Sequence, residues 1–229
     1  VSLEHEVVKR GIGEVGADLV NLWRPVGIRE LALVFESAMR AFPPRLPGQP
    51  IFYPVLAAAY ADQIAREWNA PTDPFAGYVV RFEVRDEFAR EFGPHVVGGP
   101  EHSELWVPAD RLDEFNEAMR TPIVVERGFF GKEFTGHVPD RFGLRGANAL
   151  EQPKRLLATL DHSRRDFGTE IAANALAIFV HHPFWKAVAA ERLGLGGADR
   201  NRLLAAIDQA WSARDPALPS LPQEGILVG

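Results

Sequence analysis

The sequence predicts an α+β protein with a small mixed or antiparallel sheet and an all-helical C-terminal extension. Three observations lead there. Short β-like runs alternate with helical periods up to about residue 134. Their order, β-α-β-α-β-β-α-β with short connections, is that of an α+β domain, and the short strands argue against a doubly wound nucleotide fold. From about residue 150 the pattern is almost purely helical. With 229 residues, 46% apolar and 24% charged, the chain can bury a self-sufficient core and has an ordinary globular composition.

Leu22 to Val26 reads as a short strand stopped at Gly27. Ile28, Leu31, Val34, Phe35 and Ala38 then give the spacing of an amphipathic helix over 28–39. Phe42 to Pro50 carries four prolines and is neither helix nor central strand. Ile51 to Tyr53 is a short strand, and Val55 to Trp68 an alanine-rich helix. Tyr78, Val80, Phe82 and Val84 alternate with Val79, Arg81 and Glu83, a half-exposed strand. Asp86 to Phe92 gives a helical turn or two, and Ser103 to Val107 a strand with Glu104 and Trp106 on one face. Ala109 to Met119 is a helix, and Ile123 to Arg127, extending toward Phe130, a last strand.

In the second half, helices are expected over 154–162, 169–193 and 201–214, with Asp199 capping the last. The middle one should kink or divide at Pro183. The divisions are an N-terminal extension (1–20), an α+β domain (21–134), a linker or ordered connecting loop (135–149), and a helical extension with tail (150–229). No internal repeat links the halves.

Lys and Arg total 25 against 31 Asp and Glu, a net charge of −6, which argues against a general nucleic-acid binder. The chain has no cysteine, so disulfides, Cys-zinc sites, iron–sulfur clusters and a thiol nucleophile are excluded. No apolar run is long enough for a membrane span, and Val1 to Arg10 lacks a signal-peptide core. A cytoplasmic, soluble protein is expected. No phosphate loop or dinucleotide glycine motif is present. His181 and His182 point different ways on a helix and have no ligand partner four residues on. They are assigned no metal, and are expected at the surface near a helix end.

Three places carry chemistry: Arg24 on the first strand, Ile51-Phe52-Tyr53 ahead of a helix bearing Tyr60, and Glu104 entering a strand after a turn. Because Phe52 and Tyr53 are adjacent on a strand, one belongs to the core and only one can line a pocket.

Residues 22–130 resemble the bacterial ADP-ribosylation/crystallin J1-like family. The resemblance rests on Trp23-Arg24-Pro25-Val26-Gly27, Phe42-Pro43-Pro44-Arg45-Leu46-Pro47, Pro50-Ile51-Phe52-Tyr53-Pro54-Val55, Val97-Gly98-Gly99 and Glu104-Leu105-Trp106-Val107-Pro108. It implies an ADP-ribosyltransferase-like fold and NAD as co-substrate. In that setting Arg24, Phe52 or Tyr53, Tyr60 and Arg45 would hold the dinucleotide, with Arg24, Arg45 and Arg81 the candidates for bidentate pairing with its pyrophosphate, and Glu104 would be catalytic. Arg24 stands where one branch of such proteins has histidine, and the aromatics of Phe52-Tyr53 are in swapped order. The alternatives are an inactive fold used for protein interaction through the helical extension, or a pocket for another phosphate-bearing ligand anchored by Arg45.

Overall fold

The computed structural model describes residues 18–99, 101–214 and 218–229. The reading of residues 1–17 as part of an N-terminal extension without a signal core lies outside the described residues. The fold is α+β, with a mixed four-stranded sheet, two small two-stranded sheets and a largely helical C-terminal region.

The main sheet has the order β1 (Leu19–Gly27), β3 (Ala76–Arg85), β7 (Val124–Phe130), β8 (Glu224–Leu227), with β2, β4, β5 and β6 described below. The first three are antiparallel neighbours, and β8 runs parallel to β7. A parallel neighbour needs a long crossover, and here the whole helical region supplies it. The Ile226–Leu227 end of the chain is thereby drawn into the sheet.

Two further ladders extend the edge of β1. β2 (Ile51–Phe52) pairs with β6 (Val107–Pro108), and β4 (Pro94–Val96) with β5 (Ser103–Leu105). Val55 joins them, bridging Trp23 on one side and Glu104 on the other. The helix expected over 55–68 therefore starts later. Pro54 holds the chain extended, Val55 exchanges backbone hydrogen bonds of 2.8 and 2.9 Å with Trp23, and α2 begins at Ala58. α2 (Ala58–Ile64) ends in a π turn, Ala65–Asn69.

α1 (Ile28–Glu36) follows β1 directly, and α3 (Asp86–Arg90) and α4 (Leu112–Ala118) complete the first half. The sheet separates two apolar clusters. The larger contains Leu22, Val26, Phe52, Tyr78, Val80 and Phe82 from the strands and runs on into the helical region to Ile207 and Trp211. The smaller lies under α2 and joins Val55, Tyr60, Ala61, Ala65, Val79 and Phe129. Gly77 permits this second layer, since a Cβ there would lie 2.6 Å from the Ala65 carbonyl oxygen.

The helical region is α5 (Gln152–His162), α6 (Arg164–Ala173), α7 (Ala175–Ala187) and α8 (Gly197–Ser212). The expected break at Pro183 falls instead at Asn174, whose φ of −112° and ψ of 32° end the α6 geometry. Its side chain donates to the Glu170 carboxylate at 2.8 Å. Pro183 sits inside an unbroken α7. The expected surface position of His181 and His182 is also corrected: both are fully buried. α7 is buried on every side from Ala177 to Trp185, so it is a core helix and has no solvent face for them.

Residues 135–149 form an ordered loop tied to this helix. The His137 N–H donates to His181 Nε2 at 2.8 Å, and His181 Nδ1 lies 2.9 Å from Gln152 Oε1. The Gln152 amide group donates to the His137 and Ala147 carbonyls, leaving its oxygen as an acceptor. His181 is thus fixed as the neutral Nδ1–H tautomer. Glu170 anchors the same loop by accepting from the Gly143 and Leu144 N–H groups, while also accepting from the Asn174 side chain.

Candidate functional site

Residues directly opposed on antiparallel neighbours project to the same face, and successive residues to opposite faces. Arg81 opposes Trp23, Trp23 opposes Val55, Val55 opposes Glu104, and Glu104 opposes His95. These five residues form one row on the α2 side of the sheet. Arg24, next to Trp23, faces the main core, and so does Phe52.

The predicted site residues therefore separate into two groups. On the core side, Arg24 is only 7% exposed. Its Nε and Nη2 donate to the two oxygens of Glu30 at 2.8 and 3.2 Å, and Nη1 donates to the Tyr53 carbonyl at 3.2 Å. Its guanidinium lies 4.4 Å from the Phe52 ring centre. Arg45 is nearby, its Nε donating to the Ile51 carbonyl at 3.1 Å. Burial, and then repulsion from Arg24, lowers the Arg45 pKa from the usual guanidinium value.

On the α2 side, Glu104 is the centre of an aromatic group. Tyr60 Oη donates to Glu104 Oε1 at 3.0 Å, and Trp106 Nε1 donates to Oε2 at 3.0 Å. Tyr53 meets Trp106 edge to face at 6.2 Å between ring centres. His95 stacks on Trp106 at 4.2 Å, and His102 stacks on Tyr60 at 4.4 Å. Tyr53 and Trp106 are 38% and 40% exposed, while Tyr60 is buried. His102 Nδ1 accepts from the Gly99 N–H at 3.2 Å, so its neutral ring carries the proton on Nε2.

The strand alternation that assigns one of Phe52 and Tyr53 to the core holds: Phe52 is fully buried and Tyr53 faces out. The pairing of Glu104 with Trp106 follows from their two-residue spacing. Glu30 and the stacking of His95 and His102 were missed. Glu30 comes from α1 and meets Arg24 only because that helix folds back beside its own strand. Residues 93–102 gave no periodic signal that placed His95 opposite Glu104.

Tyr60 has its pKa pushed up to about 12, first by burial and then by its hydrogen bond to Glu104. The folded state keeps this proton after an unfolded tyrosine has lost it. The stability it contributes is complete below about pH 10 and is lost as pH rises through about 12. In an alkaline absorbance titration, Glu104→Gln is expected to move the Tyr60 phenolate step to lower pH by removing the neighbouring negative charge. An unmoved step would show that Glu104 does not hold the phenol in solution.

A carboxylate with both oxygens fixed by neutral donors is preorganised to meet developing positive charge. Arg81 lies on the same face, with Nε bonded to Glu126 at 3.0 Å. Trp23 and Arg127 donate to the same Glu126 carboxylate at 3.1 and 3.3 Å. Among the described residues no group of three or more His, Asp or Glu side chains is placed to hold a metal ion, and no helix is long and apolar enough to cross a membrane.

No protein-family model, curated protein or solved structure matches the chain.

Proposed function

We propose that the protein binds NAD on the face that carries Glu104 and acts as a mono-ADP-ribosyltransferase-like enzyme on an acceptor yet to be identified. The observation that carries this reading is the Glu104 carboxylate, held at both oxygens by Tyr60 and Trp106 beside two half-open aromatic rings. The motif resemblance in residues 22–130 supports the choice of NAD.

In this reading the nicotinamide ring rests against Tyr53 or Trp106. As the glycosidic bond breaks, its electron pair passes to the nicotinamide nitrogen and positive charge builds on the ribose. Glu104 stabilises that charge, orients the attacking hydroxyl and takes its proton as the hydroxyl oxygen bonds to the ribose carbon. Tyr60 and Trp106 position Glu104. Arg81 shares the Glu104 face and would have to release Glu126 to meet the pyrophosphate.

Nicotinamide release from NAD tests this. The wild type is expected to release it, and Glu104→Gln to do so about a hundredfold more slowly while still binding NAD. Equal rates in the two proteins, or no release by the wild type, would contradict the enzymatic reading. A second reading, a binding module without catalysis, draws on the internal engagement of Arg24 by Glu30 and Tyr53. It predicts NAD binding with no release, or a protein partner on the helical region and no NAD binding.

A further inference from the structure

We infer that the Glu104 site selects a flat organic cation, a pyridinium or guanidinium group, by its charge and not only by its ring. This rests on the Glu104 face being the binding site, as proposed above, and it concerns what that face recognises.

The other half-buried carboxylates on the sheet and on the helices beside it have arginine partners. Glu30 holds Arg24 at 2.8 Å, Glu126 holds Arg81 at 3.0 Å and Arg127 at 3.3 Å, and Asp62 holds Arg127 at 2.9 Å. Glu104 differs. Its two bonded partners, the Tyr60 hydroxyl and the Trp106 indole, are neutral donors, and no arginine or lysine forms an ion pair with it among the described residues. Of the two imidazoles nearby, His102 turns its Nε2 toward Glu101 at 3.8 Å, and His95 lies flat on Trp106.

The result is a negative charge without a counter-charge, set among aromatic rings. Two of them, Tyr53 and Trp106, are open to solvent. Ring faces attract cations through their quadrupole, and a delocalised planar cation is less strongly hydrated than an ammonium, so it gives up its water more readily. Among the described residues no set of His, Asp or Glu side chains converges there as metal ligands would. A guanidinium or pyridinium can stack on a ring and face the carboxylate at the same time.

The test compares each cation with a neutral molecule of similar shape: N-methylnicotinamide cation against nicotinamide, and methylguanidinium against methylurea. Binding is followed by the indole resonances of the intact protein. The cations are expected to bind about tenfold more tightly than their neutral counterparts, with affinity falling as salt rises. Glu104→Gln should erase that preference. Glu104→Asp, which keeps the negative charge and every indole reporter, should retain a preference for the cations, and this covers the case in which Glu104→Gln fails to fold. Cation and neutral molecule binding alike, or neither cation binding in the tens of millimolar, would overturn the inference. If the cations bind but NAD binds no more tightly than N-methylnicotinamide, the NAD reading fails while cation selection stands. The pyridinium and guanidinium arms show which group is preferred.

Discussion

Replacing His181 by alanine is expected to destabilise the protein by about 3–5 kcal/mol, measured by urea unfolding at neutral pH. The imidazole is fully buried in α7 and serves two partners, the His137 N–H and Gln152 Oε1. Its removal leaves both without a partner and opens a cavity beside Phe134 and Trp185. Gly136 shows how close the loop lies: a Cβ there would come 2.2 Å from His181 Nε2, and its φ is +73°. Glycine meets both demands at once.

The same histidine sets a pH dependence. Burial, and then the nearby His137, lower its pKa to about 3. An unfolded histidine takes up a proton near pH 6.5, so the unfolded chain is protonated first. Stability from this group is therefore present above about pH 6.5 and is lost as pH falls toward 3, at about 1.4 kcal/mol per pH unit. Protonation at Nε2 would also set a donor against the His137 N–H. In His181→Ala the slope below pH 6.5 should be shallower. An unchanged slope would assign the acid sensitivity to other groups, among them His182, whose pKa burial also lowers.

Arg24→Met is expected to lower stability by about 2–4 kcal/mol and to leave NAD binding intact. Removing the guanidinium leaves Glu30 without its cation and the Tyr53 carbonyl without its donor. The lower end of that range reflects the Glu30 side chain, which keeps 22% of its surface in water. Replacing both Arg24 and Glu30 by methionine should recover most of the loss, because no charge is then stranded. Unfolding curves for the two single variants and the double variant give the coupling. Loss of NAD binding in a folded Arg24→Met protein would return Arg24 to the ligand site.

The strands and helices of the first half were legible because their periods are clean. In β3, Tyr78, Val80, Phe82 and Val84 are all buried while Arg81 and Glu83 are not. Tyr78 to Val80 are buried on both faces, though, since α2 covers what alternation alone marks as open. β8 was beyond sequence reasoning. Its few apolar residues become a strand only because α7 and β7 flank them, and a Cβ on Gly225 would lie 2.0 Å from the Pro183 carbonyl oxygen. The helix break followed Asn174, not Pro183, because a buried side chain bonded to Glu170 ends α6, whereas α7 is buried all round and keeps its proline.

At the site, the aromatic alternation of Phe52 and Tyr53 and the spacing of Glu104 and Trp106 were local, and the sequence showed them. The face on which Arg24 lies relative to Glu104 was not, because it depends on Val55 bridging Trp23 to Glu104 across two chain segments.

The central claim is that the working face carries Glu104 and that Arg24 belongs to the core. It is tested most directly by titrating NAD while watching the indole resonances of the five tryptophans, with Trp106 assigned through Trp106→Phe. The account predicts a saturable shift of the Trp106 resonance while those of buried Trp185 and Trp211 stay still. No shift at Trp106 at saturating NAD, or a shift confined to Trp185 or Trp211, would contradict it.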